Sequence, residues 1–383
     1  MALVKSWVEI SGTRLVENLR VIQAVAGEGV ETLAVVKANG YGHDAAIVAQ
    51  VLVDAGIRWL GVSDVEEGVR VRGMAGDRAR VLVMCGMDLG DAPEMVAHGL
   101  RPVVWTVEHV EALESAGKAA GRRVEVHLEI DTGIARQGVA VGAELERVLE
   151  RLAVAEWVRC EGVMSHLSSA EVVGSAVTEA QRSRFALALE QVTAAGIRPE
   201  LVHLGNTSAV DEGSTMEWMR ERAARMGARA MVRTGLAIYG DHLPLEGGVG
   251  LLGSRLKPVM TWKTRVIGLR SIEAGDTVGY GATFTAKAGM RLALLPVGYA
   301  DGFRREASSG VGDGWVMIAG KKAVVVGRVS MNLMTVDVTG SGVEVGDEVV
   351  LLGEGVTADD HAAWCGTIAY EILCGVRARF ELC

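Results

Sequence analysis

The sequence predicts an α/β fold: a (β/α)8 barrel over residues 11–240, then a mainly β domain over 241–383, with a strand from residues 1–10 that could join it. Three observations carry that expectation. Eight short apolar runs rich in Val, Leu and Ile recur along the first two-thirds of the chain. Amphipathic stretches of helical period separate them, and continuous apolar strands alternating with helices indicate a parallel sheet covered on both faces. Beyond residue 239 the pattern changes to short β runs punctuated by glycine, as expected of a compact β domain.

Taken in order, residues 5–10 read as a strand that could pair with either domain. The eight runs are 33–37, 59–64, 79–85, 101–105, 124–131, 158–166, 200–206 and 231–239; helix-like stretches between them include 45–55, 107–116, 143–152, 178–195 and 216–224. Eight such units in about 230 residues fit a closed barrel, and the same alternation also fits an open doubly wound sheet. A Gly-rich connector, DHLPLEGGVGLLG, covers 241–253. Strands are then expected at 260–269, 291–297, 315–318, 323–329, 334–338 and 348–352, closed by helical turns at 359–365 and 368–373.

Composition narrows the function. The 383 residues are 49% hydrophobic and 23% charged, which excludes a disordered chain. With 39 basic against 48 acidic residues the net charge is −9, and no run of Lys and Arg supplies the basic stripe nucleic acid would need. No stretch approaches the roughly 18 apolar residues of a membrane span, and no signal peptide is evident, so a cytoplasmic protein is expected. The five cysteines are dispersed and never in CxxC spacing, which fits reduced thiols with no disulfide framework and no metal site. Two motifs mislead. Gly248, Gly250 and Gly253 spell GxGxxG but precede a strand-like run, and Asp131-Thr132-Gly133 has no second triplet to share a proton; both read as backbone punctuation.

In a βα barrel, side chains at the carboxyl ends of the strands line the active mouth. Those positions and the loops beyond them supply Lys37, Asp131, Arg136, His166, Asn206, Thr207 and Arg233. Such a cationic, hydrogen-bonding set in an acidic protein points to an anionic small molecule. Lys37 follows Leu33-Ala34-Val35-Val36 and precedes a Gly-Tyr-Gly turn. A lone strand-end lysine more often snorkels to solvent, whereas a partly desolvated one can act as a Schiff-base nucleophile or a proton-transfer base.

The segment AVVKANGYGH (34–43) resembles the pyridoxal-phosphate attachment motif of alanine racemases. The likeness continues, in the family's order, through EIDTGIARQG (129–138), GVMSH (162–166), HLGNTSA (203–209), VRTGLAIYG (232–240), VGYGAT (278–283), PVGYADGF (296–303), GRVSMNLMTVD (327–337) and TIAYEI (367–372). These segments span nearly the whole chain.

The resemblance implies pyridoxal 5′-phosphate held by Lys37, and interconversion of L- and D-alanine that supplies the D-enantiomer for peptidoglycan. Lys37 would be the base on one face of the substrate Cα and Tyr280 the base on the other, since racemisation needs one group to remove a proton and another to return it. A phenol ordinarily titrates near pH 10, so such a base needs cationic or hydrogen-bonding help. The resemblance further places Arg233 against the pyridine nitrogen, His166 in a hydrogen bond to Arg233, and His203 against the cofactor ring. Tyr41, Thr207, Gly235, Leu236 and Tyr370 would hold the phosphate. Arg136 would bind the substrate carboxylate, Met331 would add a backbone N–H, and Tyr299 would narrow the entrance. It also implies a homodimer with shared active sites, Tyr280 and Met331 reaching the partner's barrel. An arginine at the pyridine nitrogen, always protonated itself, leaves that nitrogen unprotonated and the electron sink weaker, which favours quick reprotonation over side reactions.

Two departures stand out. Many members carry a lysine, sometimes carbamylated, where this chain has Glu129; its carboxylate is expected to buttress Arg136, directly or through a water. Strand alternation puts Glu129 on one face with Glu125, His127 and Asp131, a face that could line the mouth or be solvated. Around Met331 the family's Cys-Met-Asp is replaced by Ser330-Met331-Asn332. Competing readings are a serine or broad-range racemase, a fold-related decarboxylase, which would need an acid in place of Arg233, and a cofactor carrier, which leaves Tyr280 and Met331 unexplained. Of the five tyrosines, Tyr41, Tyr280, Tyr299 and Tyr370 have expected work in the site, and Tyr239 reads as structural.

Overall fold

The computed structural model describes residues 5–383 and divides them into two units, one from 13–40 and 48–257, the other from 5–12, 41–47 and 258–383. Strand β1 (Ser6–Ile10) belongs to the second. In the first unit, β2 (Glu31–Val35), β3 (Trp59–Val62), β4 (Arg80–Val83), β5 (Arg101–Val104), β6 (Val124–Asp131), β8 (Val158–Met164), β9 (Leu201–His203) and β10 (Arg229–Thr234) pair in parallel; a two-residue strand, β7 (Val139–Ala140), adds to β6. Pairing of β10 with β2 (Met231 opposite Glu31) and of β5 with β6 (Val103 opposite His127) closes the ring, so the closed barrel holds and the open sheet does not.

The eight apolar runs become these eight strands because each is covered on both faces. β3 is buried at all four positions, and β4 and β5 bury every residue but their first. Helices follow the strands in turn, and their starts carry the expected caps. Asp64, Thr106, Ser175 and Asn206 accept from the backbone N–H three residues on, opening Val65–Ala75, Val107–Ala120, Ala176–Ala194 and Thr207–Glu212. Val65–Ala75 and Ala92–His98 were not among the helix-like stretches read from sequence; the former carries two glycines and a short apolar face, and only its cap and Glu66-Glu67 announced it.

In the second unit, β11 (Met260–Arg265) pairs antiparallel with β1, and β20 (Arg379–Leu382) pairs parallel with β1 on its other side. The strand at the start of the chain therefore joins the C-terminal unit. The expected run at 260–269 divides into β11 and β12 (Gly268–Ile272). A short hairpin of β13 (Thr277–Val278) and β14 (Phe284–Thr285) follows, then β15 (Met290–Leu295), β16 (Trp315–Ile318), β17 (Lys321–Val324), β18 (Met334–Asp337) and β19 (Glu348–Leu352). These form a six-stranded sheet, β17-β16-β19-β11-β1-β20, and a three-stranded one, β12-β15-β18. Val8, Ile10, Trp262 and Phe303 are buried in this unit, and helices Ala358–Cys365 and Ala369–Gly375 complete it.

Both misleading motifs prove to be backbone punctuation. Asp131 Oδ1 accepts the N–H groups of Gly133, Ile134 and Ala135 at 2.8, 3.1 and 3.2 Å, fixing the loop after β6. At Gly250 a Cβ would sit 2.4 Å from Asp211 Oδ1, the atom that also accepts from Leu252 N at 2.7 Å. Among the described residues no helix is long and apolar enough to cross a membrane, and no cluster of His, Cys, Asp and Glu could hold a metal ion.

Candidate active site

Lys37 lies just beyond the carboxyl end of β2 and is half-buried. The turn it opens is unusual: Ala38, Asn39, Gly40 and Tyr41 all have φ between 52° and 65°. Left-handed backbone at three non-glycine residues flanking one glycine costs energy, and such strain persists only where surroundings over-determine it. Within the barrel unit Glu67 supplies part of that support. Its Oε1 accepts from Asn39 N at 3.3 Å, and its Oε2 accepts from Ser63 N and Oγ at 2.9 and 2.6 Å.

Arg233, near the end of β10, is 5% exposed and has no carboxylate within hydrogen-bond reach. Its Nη1 donates to His203 Nδ1 and to the His203 carbonyl, both at 3.2 Å. Its Nη2 donates to the Ser165 carbonyl at 2.8 Å and to His166 Nδ1 at 3.1 Å. These four contacts occupy the N–H groups of Nη1 and Nη2 and leave the Nε–H for a ligand. Burial brings Arg233 down to about 10, with the Glu129 charge opposing, so it stays cationic at neutral pH. Burial, followed by the charges of Arg233, Arg136 and Lys37, pushes His166 down to about 3. His166 is thus a neutral acceptor among three cations, in the hydrogen bond expected of it. His203 is fully buried and accepts from Arg233 through both ring and carbonyl.

Glu129 meets Gln137 and not, directly, Arg136. Its buried carboxylate accepts a short hydrogen bond from Gln137 Nε2, and that group also donates to the Met84 carbonyl at 2.7 Å. Arg136 is exposed and makes no hydrogen bond to Glu129. The physical reason is reach: the glutamate stem is short, and Gln137, one position further along the loop, projects inward where Arg136 does not. Burial pushes the Glu129 carboxyl up; the Gln137 N–H and the charges of Arg233 and Arg136 offset only part of this. The polar face of β6 is therefore buried at His127 and Glu129, not solvated.

Thr207 begins the helix after β9, as expected, behind the Asn206 cap. Gly235 precedes a 3-10 turn, Leu236–Tyr239, whose first N–H groups lack partners within the turn itself. Tyr239 is buried in that turn and donates to the Val35 carbonyl at 2.9 Å, a structural role.

In the second unit the Tyr41 and Tyr370 rings lie 5.9 Å apart between centroids. Tyr299 opens the turn Tyr299–Asp301, and its N–H and that of Ala300 donate to the carbonyls of Ser330 and Met331 at 3.1 and 2.9 Å. This close approach demands glycine at position 298, where a Cβ would fall 2.0 Å from the Ser330 carbonyl oxygen. Tyr280, Tyr299 and Met331 are 71%, 42% and 56% exposed. Sequence reasoning missed Glu67 and Gln137. Gln137 could have been found as the neighbour of Arg136 in the ARQG segment; Glu67 carries no local signal.

The profile described as "Alanine racemase, N-terminal domain" matches residues 10–243, and "Alanine racemase, C-terminal domain" matches 259–383. The chain belongs to the alanine racemase family. Among curated relatives, the alanine racemase of Symbiobacterium thermophilum is 39% identical over 379 residues, covering 98% of this chain and 95% of the relative. That of Syntrophobacter fumaroxidans is 36% identical over 382 residues, covering 98% and 96%. Among solved structures, the alanine racemase of Streptomyces coelicolor A3(2) superposes with a TM-score of 0.87 at 33% identity, covering 98% of each chain. That of Clostridium difficile 630 gives 0.89 at 28% identity, covering 100% and 97%. As a member of the alanine racemase family the chain is a pyridoxal-phosphate-dependent amino-acid racemase. Its barrel residues fit that cofactor: Arg233 keeps one N–H open beside a neutral His166, and a half-buried lysine stands at the end of β2.

Proposed function

We propose that the named residues carry the interconversion of L- and D-alanine as follows. Arg233 donates its open N–H to the pyridine nitrogen, and Lys37 holds the cofactor. Thr207 and the N–H groups of Gly235 and Leu236, with the Tyr41 and Tyr370 hydroxyls, hold the phosphate. Pyridoxal phosphate, when bound, supplies the electron-withdrawing ring that makes the substrate Cα–H labile. The Lys37 amine removes or returns that proton on one face, and the Tyr280 phenolic oxygen does so on the other. Arg136 takes the substrate carboxylate, the Met331 N–H adds a donor, and Tyr299 narrows the approach.

The single observation that carries this reading is the environment of Arg233. A buried arginine whose partners are two neutral imidazoles and two carbonyls can contact a ring nitrogen without protonating it. We further propose a homodimer in which Tyr280 and Met331 of one chain serve the barrel of the other. The family likeness around both residues and their exposure support it. Cofactor-loaded protein incubated with L-alanine in deuterated water is expected to yield both enantiomers, deuterated at Cα; pure, unlabelled L-alanine would refute the activity. Mixing Lys37→Ala with Tyr280→Phe chains is expected to regain activity through heterodimers with one intact site. No recovery after verified subunit exchange would refute shared sites.

A further inference from the structure

Behind Arg233 a chain of buried polar groups continues away from the mouth of the barrel. His203 Nδ1 faces Arg233, and His203 Nε2 lies 2.8 Å from His127 Nδ1. His127 Nε2 in turn lies 3.6 Å from Glu161 Oε2. Neither of these last two atoms has a hydrogen-bond partner among the described residues, although both are buried. Arg101 Nε and Arg80 Nε stand 3.5 and 3.8 Å from the same carboxylate, and Trp59 presses edge-on against His127.

The backbone builds this chain deliberately. Opposite β6, β8 pairs Cys160 with Val126 and Gly162 with His127, so Glu161 is the extra residue of a bulge. Bulges re-aim a side chain, and this one leaves Glu161 only 1% exposed. Glycine is required next to it, since a Cβ at position 162 would sit 2.5 Å from His127 Nδ1.

The protons along the chain admit one arrangement. Burial lowers the pKa of both His127 and His203, so each is a neutral ring with one donor and one acceptor. Arg233 has only donors, so His203 Nδ1 must be bare and its Nε2 protonated. That N–H needs a bare His127 Nδ1, which puts the His127 proton on Nε2, facing the carboxylate. Reversing His127 sets its Nδ1–H against the N–H of His203, and reversing His203 sets an N–H against Arg233 and takes away its acceptor.

We propose that Glu161 is a positioning residue for racemisation: as the terminal acceptor, it fixes the tautomers of His127 and His203 and so holds a bare nitrogen against Arg233. The inference rests on the reading of Arg233 as the residue that meets the pyridine nitrogen. Nitrogen-15 spectra of histidine in the cofactor-loaded protein test it without reference to turnover. Both rings are expected to show a protonated Nε2 and a bare Nδ1; a protonated Nδ1 in either ring overturns the proposal, whatever any variant does. In Glu161→Met, which removes the acceptor at similar volume, the second tautomer is expected to appear, and kcat to fall about 10-fold, the scale at which outer partners of a site act, with KM unchanged. Glu161→Gln keeps an acceptor and is expected to restore both. Unchanged histidine spectra in Glu161→Met, or equal damage in Glu161→Gln, overturn the relay. Altered spectra with an unaltered visible band of the bound cofactor would uphold the relay and refute the placement of Arg233.

Discussion

Arg233 and Tyr280 stand at opposite extremes of how this protein holds a functional group. Arg233 sits inside the barrel with four N–H contacts, backed by the buried His203, His127 and Glu161. Tyr280 rides on a three-residue turn of the second unit and is 71% exposed. The barrel thus defines the electrostatics of its site by burial, because neutral acceptors around a buried cation cannot be replaced by water. The turn carries its phenol without building stability on it. The two regions should therefore answer mutation in opposite currencies, the turn in rate and the barrel in stability.

The largest effect is expected for Tyr280→Phe, a loss of about 10²- to 10⁴-fold in kcat, the usual worth of a general acid–base. Because phenylalanine keeps the ring and the residue is 71% exposed within its own chain, the unfolding free energy should move by no more than the ~0.5 kcal/mol typical of surface changes. A large stability loss would show that the turn is structural and break the contrast. His127→Leu should do the reverse first, costing roughly 1–3 kcal/mol of unfolding free energy, because it leaves a buried N–H of His203 without its acceptor. An unshifted urea midpoint would remove the basis for a locked interior.

Acid should weaken the buried interiors of both units. His166 and His361 are pushed down to about 3 and 4, and burial lowers His127 and His203 too. Below about pH 6.5 the unfolded chain binds protons at these rings and the folded chain does not, so stability falls as pH drops from about 6.5 toward 4. Each such ring contributes up to about 1.4 kcal/mol per pH unit across that window. Melting temperatures across that range should show the decline, and substituting His361, whose Nε2 bonds the Leu351 carbonyl, should flatten it. The smallest effect is expected at Gln137→Met. It frees the loop that carries Arg136, so KM for alanine should rise a few-fold while kcat changes less. An unchanged KM would separate the Glu129–Gln137 pair from substrate binding.

How much of this was legible depended on whether the signal was local. The eight barrel strands were readable because continuous apolar runs between helices can be buried only in one way, and Lys37, His166 and Arg233 were readable at their ends. Closure of the ring was not, because it depends on β5 meeting β6 and β10 meeting β2, pairings that no local pattern specifies. Glu161 was invisible for the same reason: in the run VRCEGVM it is one acid beside a glycine, and only the bulge against β6 turns it inward. The direct partner of Glu129 was not legible because alternation gives the face of a side chain and not its reach; Gln137 arrives from the loop. The left-handed turn after Lys37 was marked only by its glycines, while Ala38 and Asn39 adopt it without any such licence.

The central claim, that Lys37 and Tyr280 act on opposite faces of one substrate carbon, is met most directly by proton exchange in the Tyr280→Phe holoenzyme. Each enantiomer of alanine would be incubated separately in deuterated water and its Cα label and configuration followed. One enantiomer should exchange its Cα proton without inversion, through Lys37, while the other keeps its proton. Exchange of both enantiomers at equal rates, or continued inversion at the wild-type rate, would contradict the two-base account.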